Sequence, residues 1–247
     1  MTASKVGRVL LTATVASLLT VAQARAEQPG SASVGLGPWL AGISAGAFFP
    51  MASSLTGTGN IGGLNVNASG NLHLRPGPTF IGFASYEVNN YVAVAGQLGY
   101  ASTKFDNFQG TLSLAGVGSI AGKFPVSGNS DIVYGFVDGI ITPLGGGRAA
   151  TFVPLIGGGV GFTHSSTTFG SVGVPGTTLP IGIANRDTNF AMVGLIGADY
   201  RISERAYLGL GYQFVRSDGG TFGGGGFTGK TGALRVNIIS LLFDYRF

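Results

Sequence analysis

The chain of 247 residues contains no cysteine, and only 10% of its residues are charged. Without cysteine it can form neither a disulfide framework nor a thiolate metal site, and it has no Cys nucleophile and no acylated N-terminal Cys anchor. A soluble domain usually carries about 25% charged residues, so this chain has too little charge to cover a water-exposed surface. Histidine is also scarce, with two copies at His73 and His164. Few side chains that could act as nucleophiles, bases or metal ligands remain.

The N-terminus has the features of an export signal. Lys5 and Arg8 precede an apolar stretch over 9–22, and a small-x-small triplet follows at 24–26. This stretch is shorter than the ~20 residues that span a bilayer, so a cleaved secretory signal peptide over 1–26 is favoured over a transmembrane helix. We predict a short periplasmic segment over 27–37 and a single domain over 38–247.

The basic character of the chain belongs largely to this signal. Without Lys5, Arg8 and Arg25, the chain keeps 11 basic and 10 acidic residues and a net charge of +1. A protein that neutralises phosphates needs a larger excess of basic side chains. The charge balance therefore predicts no nucleic-acid partner.

The remainder of the chain is apolar but has no apolar run of helix-spanning length. Mean hydropathy of the whole chain is +0.39. Gly, Ser, Thr or Ala nevertheless interrupts the apolar residues at every second or third position. Only helices and closed barrels satisfy all backbone hydrogen bonds in lipid. We therefore predict an all-β fold, a closed antiparallel up-and-down transmembrane β-barrel in the outer membrane of a Gram-negative bacterium.

Alternation of apolar and polar residues locates the strands, most clearly at the C-terminus. There the residues at 239, 241, 243, 245 and 247 form a lipid-facing row. Similar patterns predict eight strands, over 39–49, 79–88, 91–102, 131–143, 150–164, 189–201, 206–216 and 239–247. Three short turns join them on the periplasmic side. Four long connections, over 51–78, 103–130, 165–188 and 217–232, are predicted to be exposed loops rich in Gly, Ser and Thr.

A ten-stranded barrel is the alternative. Residues 111–124 also alternate, and a partner within 171–183 would then be needed to close the barrel. Eight is favoured because the hairpin pairs already account for the short turns and bacterial barrels keep even strand numbers.

Aromatic residues near the strand ends separate this prediction from a soluble β-sandwich, whose outward faces would be polar. Outward tyrosines near the ends of strands are typical of the interfacial girdles of membrane barrels. The predicted girdle residues are Tyr86, Tyr100, Tyr200, Tyr212 and Tyr245.

Four segments resemble the small OmpA-like, opacity-like family of outer-membrane β-barrel proteins. They are FASYEVNNY at 83–91, FVPLIGGGVGF at 152–162, DTNFAMVGLIGADYRISERAYLGLGYQFVR at 187–216 and LLFDYRF at 241–247. The alternating Phe243, Tyr245 and Phe247 resemble the C-terminal signal by which such barrels are recognised for assembly. The resemblance implies eight strands, periplasmic termini, surface loops that contact the surroundings, and partners among outer-membrane lipid and lipopolysaccharide, periplasmic chaperones and the barrel-assembly machinery.

Inward-facing charges are the main candidate site residues. They are Glu87, Asp138, Asp199, Arg201, Asp244 and Arg246, several of them near the periplasmic rim. Because eight strands leave an interior just wide enough for side chains, we interpret them as a salt-bridged plug. A selective constriction in a small channel is the functional alternative.

Two motifs offer weak evidence for chemistry. His164 and Ser166 share one face of a strand, a spacing that resembles lipid A deacylases, but the following loop has no Glu and the rest of that family's motif is absent. The glycine run over 157–161 lacks the Lys-Ser/Thr of a phosphate loop, and glycine there is predicted to relieve crowding in a narrow lumen. No catalytic, metal or cofactor site is predicted.

The sequence thus favours a non-enzymatic outer-membrane surface or structural protein. A narrow passive channel for small or apolar solutes is the second hypothesis, based on the weakly charged upper lumen. A lipid A-modifying barrel enzyme is a remote third, which rests on His164 and Ser166.

Overall fold

The computed structural model describes residues 37–247 except 62, 117, 146–149 and 225, and the side chains of 61 and 64 are also excluded. The predicted signal peptide and most of the predicted periplasmic segment lie outside the described residues, as does part of the turn after residue 143. Twelve strands are described: β1 (Trp39–Pro50), β2 (Ser53–Ile61), β3 (Leu64–Leu74), β4 (Gly77–Glu87), β5 (Val92–Leu114), β6 (Gly118–Ile141), β7 (Phe152–Val174), β8 (Thr177–Arg201), β9 (Ala206–Ser217), β10 (Thr221–Gly224), β11 (Phe227–Thr231) and β12 (Leu234–Arg246).

Eight of these strands close a ring of antiparallel hydrogen bonds. The order around the ring is β1, β4, β5, β6, β7, β8, β9 and β12, and β12 pairs back to β1 from Val236 to Arg246. The prediction of eight rather than ten strands is confirmed. No helix among the described residues is long and apolar enough to span a membrane.

The ring has an outward apolar face on its lower part. Along β12 the outward residues Ile239, Leu241 and Phe243 are exposed, whereas the inward residues Ser240 and Asp244 are buried. Trp39 and Phe49 mark the two ends of this face on β1. A rise of ~3.3 Å per residue and a strand tilt of about 40° place them about 25 Å apart along the barrel axis, which is the usual height of a lipid-facing band. Among the described residues of 95–136 and 163–189, no large apolar side chain is exposed.

The four connections predicted to be loops are largely strand, so that prediction is wrong. The segments at 103–130 and 165–188 are the upper halves of β5, β6, β7 and β8, and the other two connections contain the hairpins β2–β3 and β10–β11. Residues 111–114, 118–124, 171–174 and 177–183 are therefore strand, as the ten-stranded alternative required. They lengthen four strands of the ring and add no strand to it. The Gly-rich segment 219–226 also contains β10.

These extensions assemble into a second layer above the membrane ring, here called the outer barrel: β2, β3, β10, β11 and residues 103–130 and 165–190. β3 pairs with the top of β5, β2 with β3, and β11 with β2. β10 returns beside β8, where the Asn185 amide donates a hydrogen bond to the carbonyl of Thr221 at 3.1 Å. Because short turns lie on the periplasmic side of such barrels, the outer barrel faces the cell exterior.

An exposed ion pair fastens β5 to the segment after β3. Arg75 Nε lies 3.2 Å from Asp106 Oδ1, and the Asn107 amide donates to Asp106 Oδ2 at 2.5 Å. The hydrogen bond from Asn107, followed by that from Arg75, lowers the pKa of Asp106 below its ordinary value. A one-residue register shift in the pairing of β5 with β6 lies at this point, between Lys104 and Asn107.

Candidate functional site

The interior is divided into four layers, which are described from the periplasmic end upward. Each layer follows from the inward row of residues along the strands. On β8 that row reads Asp199, then Val193 and Ala191, then Asn189, Asp187 and Asn185, then Ile183. Polar and apolar layers therefore alternate along the barrel axis.

The lowest layer, here called the lower polar layer, holds most of the predicted lumen charges. Asp138, Asp199, Asp244 and Arg246 are at most 8% exposed. They line a cavity at the periplasmic end of the lumen. Its members are Glu87, Gln97, Asp138, Asp199, Gln213, Asp244 and Arg246. Arg201, the last residue of β8, is half-buried and pairs in register with Tyr207 rather than lining this cavity.

An ion pair joins the first and last strands of this layer. The Arg246 guanidinium donates two hydrogen bonds to the two carboxylate oxygens of Glu87, each at 2.5 Å. The same guanidinium lies 5.7 Å from the ring centre of Tyr207. Two parallel N–H···O bonds fix both side chains in one geometry. This bidentate pair ties β12 to β4 across β1.

A chain of amides spans the layer above the ion pair. Gln213 donates to Gln97 at 3.2 Å, and Gln97 donates to Asp138 at 2.7 Å. These bonds cross the lumen between β9, β5 and β6.

Each of the three buried carboxylates lies against a glycine directly opposite on the next strand. The pairs are Asp244 with Gly42, Asp138 with Gly159, and Asp199 with Gly209. A Cβ on any of these glycines would lie between 2.0 and 2.5 Å from the facing Oδ1. Only glycine at these positions leaves space for the facing carboxylate. The prediction that glycine relieves crowding in the 157–161 run agrees with this geometry at Gly159.

The second layer, here called the apolar plug, fills the ring above these charges. Tyr134, Phe136 and Ile132 of β6 are at most 3% exposed. The Tyr134 and Thr79 hydroxyls are 2.6 Å apart and satisfy each other. The plug contains Phe48, Ile81, Ile132, Tyr134, Phe136, Val193, Val215, Val236 and Ile238. Packed side chains therefore separate the two ends of the lumen.

The third layer, here called the polar belt, surrounds a second cavity. Its hydroxyls are paired across the lumen wall, Thr163 with Ser217 at 2.6 Å and Ser130 with Thr167 at 2.9 Å. Asp187 accepts a hydrogen bond from the Asn189 amide at 3.2 Å.

The fourth layer, here called the outer cavity, lies within the outer barrel. Every lining residue is apolar, including Leu72, Leu112, Phe169, Ile183, Phe222 and Phe227. Aromatic rings stack along one side, with centres of Phe169 and Phe222 5.4 Å apart. An apolar and aromatic lining is typical of small-molecule pockets.

The sequence did not predict this cavity. Alternation over 111–124 places Leu112 inward, and Phe222 and Phe227 are isolated aromatics in a glycine-rich segment. The sequence does not show that these side chains lie close together. In the structure, β2, β3, β10 and β11 enclose a space with the upper ring strands, and the side chains line it.

The motif residues His164 and Ser166 lie away from these layers. On β7 the inward residues are Thr163, Ser165 and Thr167, so His164 and Ser166 lie on the outer wall. His164 Nδ1 is 2.7 Å from the Thr188 hydroxyl on the neighbouring strand.

The predicted girdle tyrosines also occupy the outer wall. Tyr86, Tyr200, Tyr212 and Tyr245 are exposed. Tyr100 is half-buried and donates a hydrogen bond to Asp131 at 2.9 Å. Phe243 and Phe247 of the predicted assembly signal are exposed on the same wall as Tyr245, whose ring meets Phe247 edge-on at 5.1 Å.

Comparison with known proteins identifies the family. The profile described as "Outer membrane protein beta-barrel domain" matches residues 11–247. The chain belongs to this family. It is an outer-membrane β-barrel protein of a Gram-negative bacterium, as the sequence predicted. No curated protein matches the sequence significantly.

Solved structures of other outer-membrane proteins resemble the fold. The outer membrane protein OprG from Pseudomonas aeruginosa is 14% identical with a TM-score of 0.54, over 86% of this chain and 96% of that chain. AlkL in lipid bilayers is 18% identical with a TM-score of 0.48, over 90% and 96%. Neisserial surface protein A is 14% identical with a TM-score of 0.46, over 86% and 99%.

Proposed function

We propose that this protein binds small apolar molecules at the cell surface and does so without catalysis. The observation that carries the proposal is the outer cavity, whose lining is entirely apolar and whose walls are ordered strands of the outer barrel. Transfer of apolar surface from water into such a site releases about 25 cal/mol per Å².

The apolar plug argues for capture rather than free passage through the lumen. Tyr134, Phe136 and Ile238 are at most 3% exposed and fill the ring below the polar belt. This geometry favours the apolar-solute hypothesis over a purely structural surface role, but with the solute held at the outer end. The catalytic alternative receives no support from His164 and Ser166, which lie on the outer wall.

Binding of an apolar fluorescent probe tests the proposal. The mature protein in lipid nanodiscs should enhance the fluorescence of N-phenylnaphthylamine saturably above that of protein-free nanodiscs. Ile183→Asn places an amide in the cavity wall and should weaken probe binding about tenfold, because burying an unpaired amide costs roughly 1–3 kcal/mol.

Ala184→Asn is the matched control, since this neighbour on β8 faces outward and is exposed. Heat-modifiable migration on a gel would establish that both variants fold. Equal probe affinity in both variants and the wild type would contradict a site in the outer cavity.

A further inference from the structure

The polar belt directly beneath the outer cavity suggests the class of molecule that the site selects. The two spaces are adjacent, because Leu72, Phe169 and Phe222 line both. A molecule that extends from the outer cavity past these side chains would place its lower end among the polar groups of the belt.

The belt is acidic. Asp187 and Asp218 line it, together with amides and hydroxyls, and none of the described lining residues is Lys, Arg or His. Because the hydroxyls of Thr163, Ser217, Ser130 and Thr167 are paired with one another, the two carboxylates are the strongest acceptors left for an incoming donor. Asp187 is half-buried whereas Asp218 is exposed, so Asp187 is the less hydrated of the two.

Asp187 is held in position for this role by its surroundings. The Asn189 amide donates to one of its carboxylate oxygens, and the carboxylate lies against Gly220, where a Cβ would collide with it. The inward row on β8 directs it to the lumen between Asn185 and Asn189. Its negative charge is therefore fixed within the belt.

We propose that the preferred ligand is a cationic amphiphile, with an alkyl or aryl body in the outer cavity and an ammonium head at Asp187. An anionic head would meet the like charge of Asp187 without a basic side chain to compensate it. An uncharged hydroxyl head could donate one hydrogen bond but would gain no ionic attraction. This inference rests on the proposed function, because it assigns the chemistry of the same site.

Competition with matched amphiphiles tests the selectivity. Decylamine, decanol and decanoate share one chain and differ in the head group, and each would be titrated against the bound probe in nanodiscs. Decylamine should displace the probe at about tenfold lower concentration than decanol, and decanoate should be the weakest. Protein-free nanodiscs correct for partition into lipid.

Asp187→Asn removes the charge and keeps the shape, so it should bring decylamine and decanol to nearly equal affinity. Asp131→Asn is the matched control. Asp131 lies at a similar height on β6 but on the outer wall, between the inward residues Ser130 and Ile132. This variant should retain the preference for decylamine.

The outcomes separate the two proposals. If none of the three amphiphiles displaces the probe, the proposed binding function itself fails. If all three displace it with equal strength, or decanoate is strongest, the binding function stands and the cationic preference is overturned. The ranking in the wild type decides this even if Asp187→Asn does not fold.

Discussion

At the scale of single residues, the lower polar layer depends on pairs of aspartate and glycine. A carboxylate in an eight-stranded lumen needs space that a Cβ on the facing strand would occupy. Gly159 supplies this space to Asp138, and Gly42 and Gly209 supply it to Asp244 and Asp199. The exposed large side chains on the other face of the same strands meet lipid. Glycine on the facing strand thus leaves room for a carboxylate inside the ring.

Gly159→Ala should destabilise the barrel by about 1–3 kcal/mol, because the added Cβ would collide with Asp138 Oδ1 and with the backbone of β6. Denaturant unfolding in lipid vesicles measures the change in the free energy of unfolding. Gly139→Ala is the control, since a Cβ there has open space around it. Equal stability of the two variants would show that the Asp138 contact is not a constraint.

At the scale of elements, the two outer hairpins have different neighbours. β2–β3 is hydrogen-bonded to the top of β5, whereas β10–β11 is attached through β2 and meets β8 beside Asn185. Phe222 of β10 and Phe227 of β11 supply one wall of the outer cavity. Because every ring strand pairs with two other ring strands, the membrane ring does not depend on the β10–β11 hairpin.

Replacing residues 221–231 by a short Gly-Ser linker should leave heat-modifiable migration intact and weaken probe binding at least about tenfold, since two aromatic side chains of the cavity wall are lost. A linker exchange of the periplasmic turn 202–205 is the control and should not alter probe binding. Loss of heat-modifiable migration in the 221–231 variant would contradict the independence of the membrane ring.

At the scale of the whole molecule, polar and apolar layers alternate inside a closed barrel that has an apolar cavity at its outer end. Charges occupy the periplasmic end, a packed apolar plug follows, and the polar belt and outer cavity lie above it. Eight strands leave room for side chains alone, so the plug fills the ring at its level.

The wild-type protein in a planar bilayer should therefore give no ion-conducting steps. Replacing both Tyr134 and Phe136 by Ala removes two large side chains from the plug and should produce measurable conductance. The double change Phe162→Ala with Phe190→Ala is the control, because these residues are paired on neighbouring strands and face lipid. Conducting steps in the wild type would show that the plug does not seal the lumen.

The sequence by itself determined the membrane ring. Alternation with period two has an unambiguous meaning where one face meets lipid, so the positions of Ile239, Leu241 and Phe243 on the wall and of Asp244 in the lumen followed directly. The number of ring strands followed from the short turns. Low charge and the absence of helix-spanning runs determined the class of fold.

Only the tertiary structure decided what stands above the membrane. The outer strands lack the outward apolar row that marks the lipid-facing strands, and glycine interrupts their inward apolar row, so they were predicted as loops. The outer cavity is formed by residues far apart in sequence, such as Leu55, Leu112, Ile183 and Phe222, and pairing between β3 and β5 and between β11 and β2 brings them together. Such contacts depend on register between distant strands, which no local pattern of residues specifies.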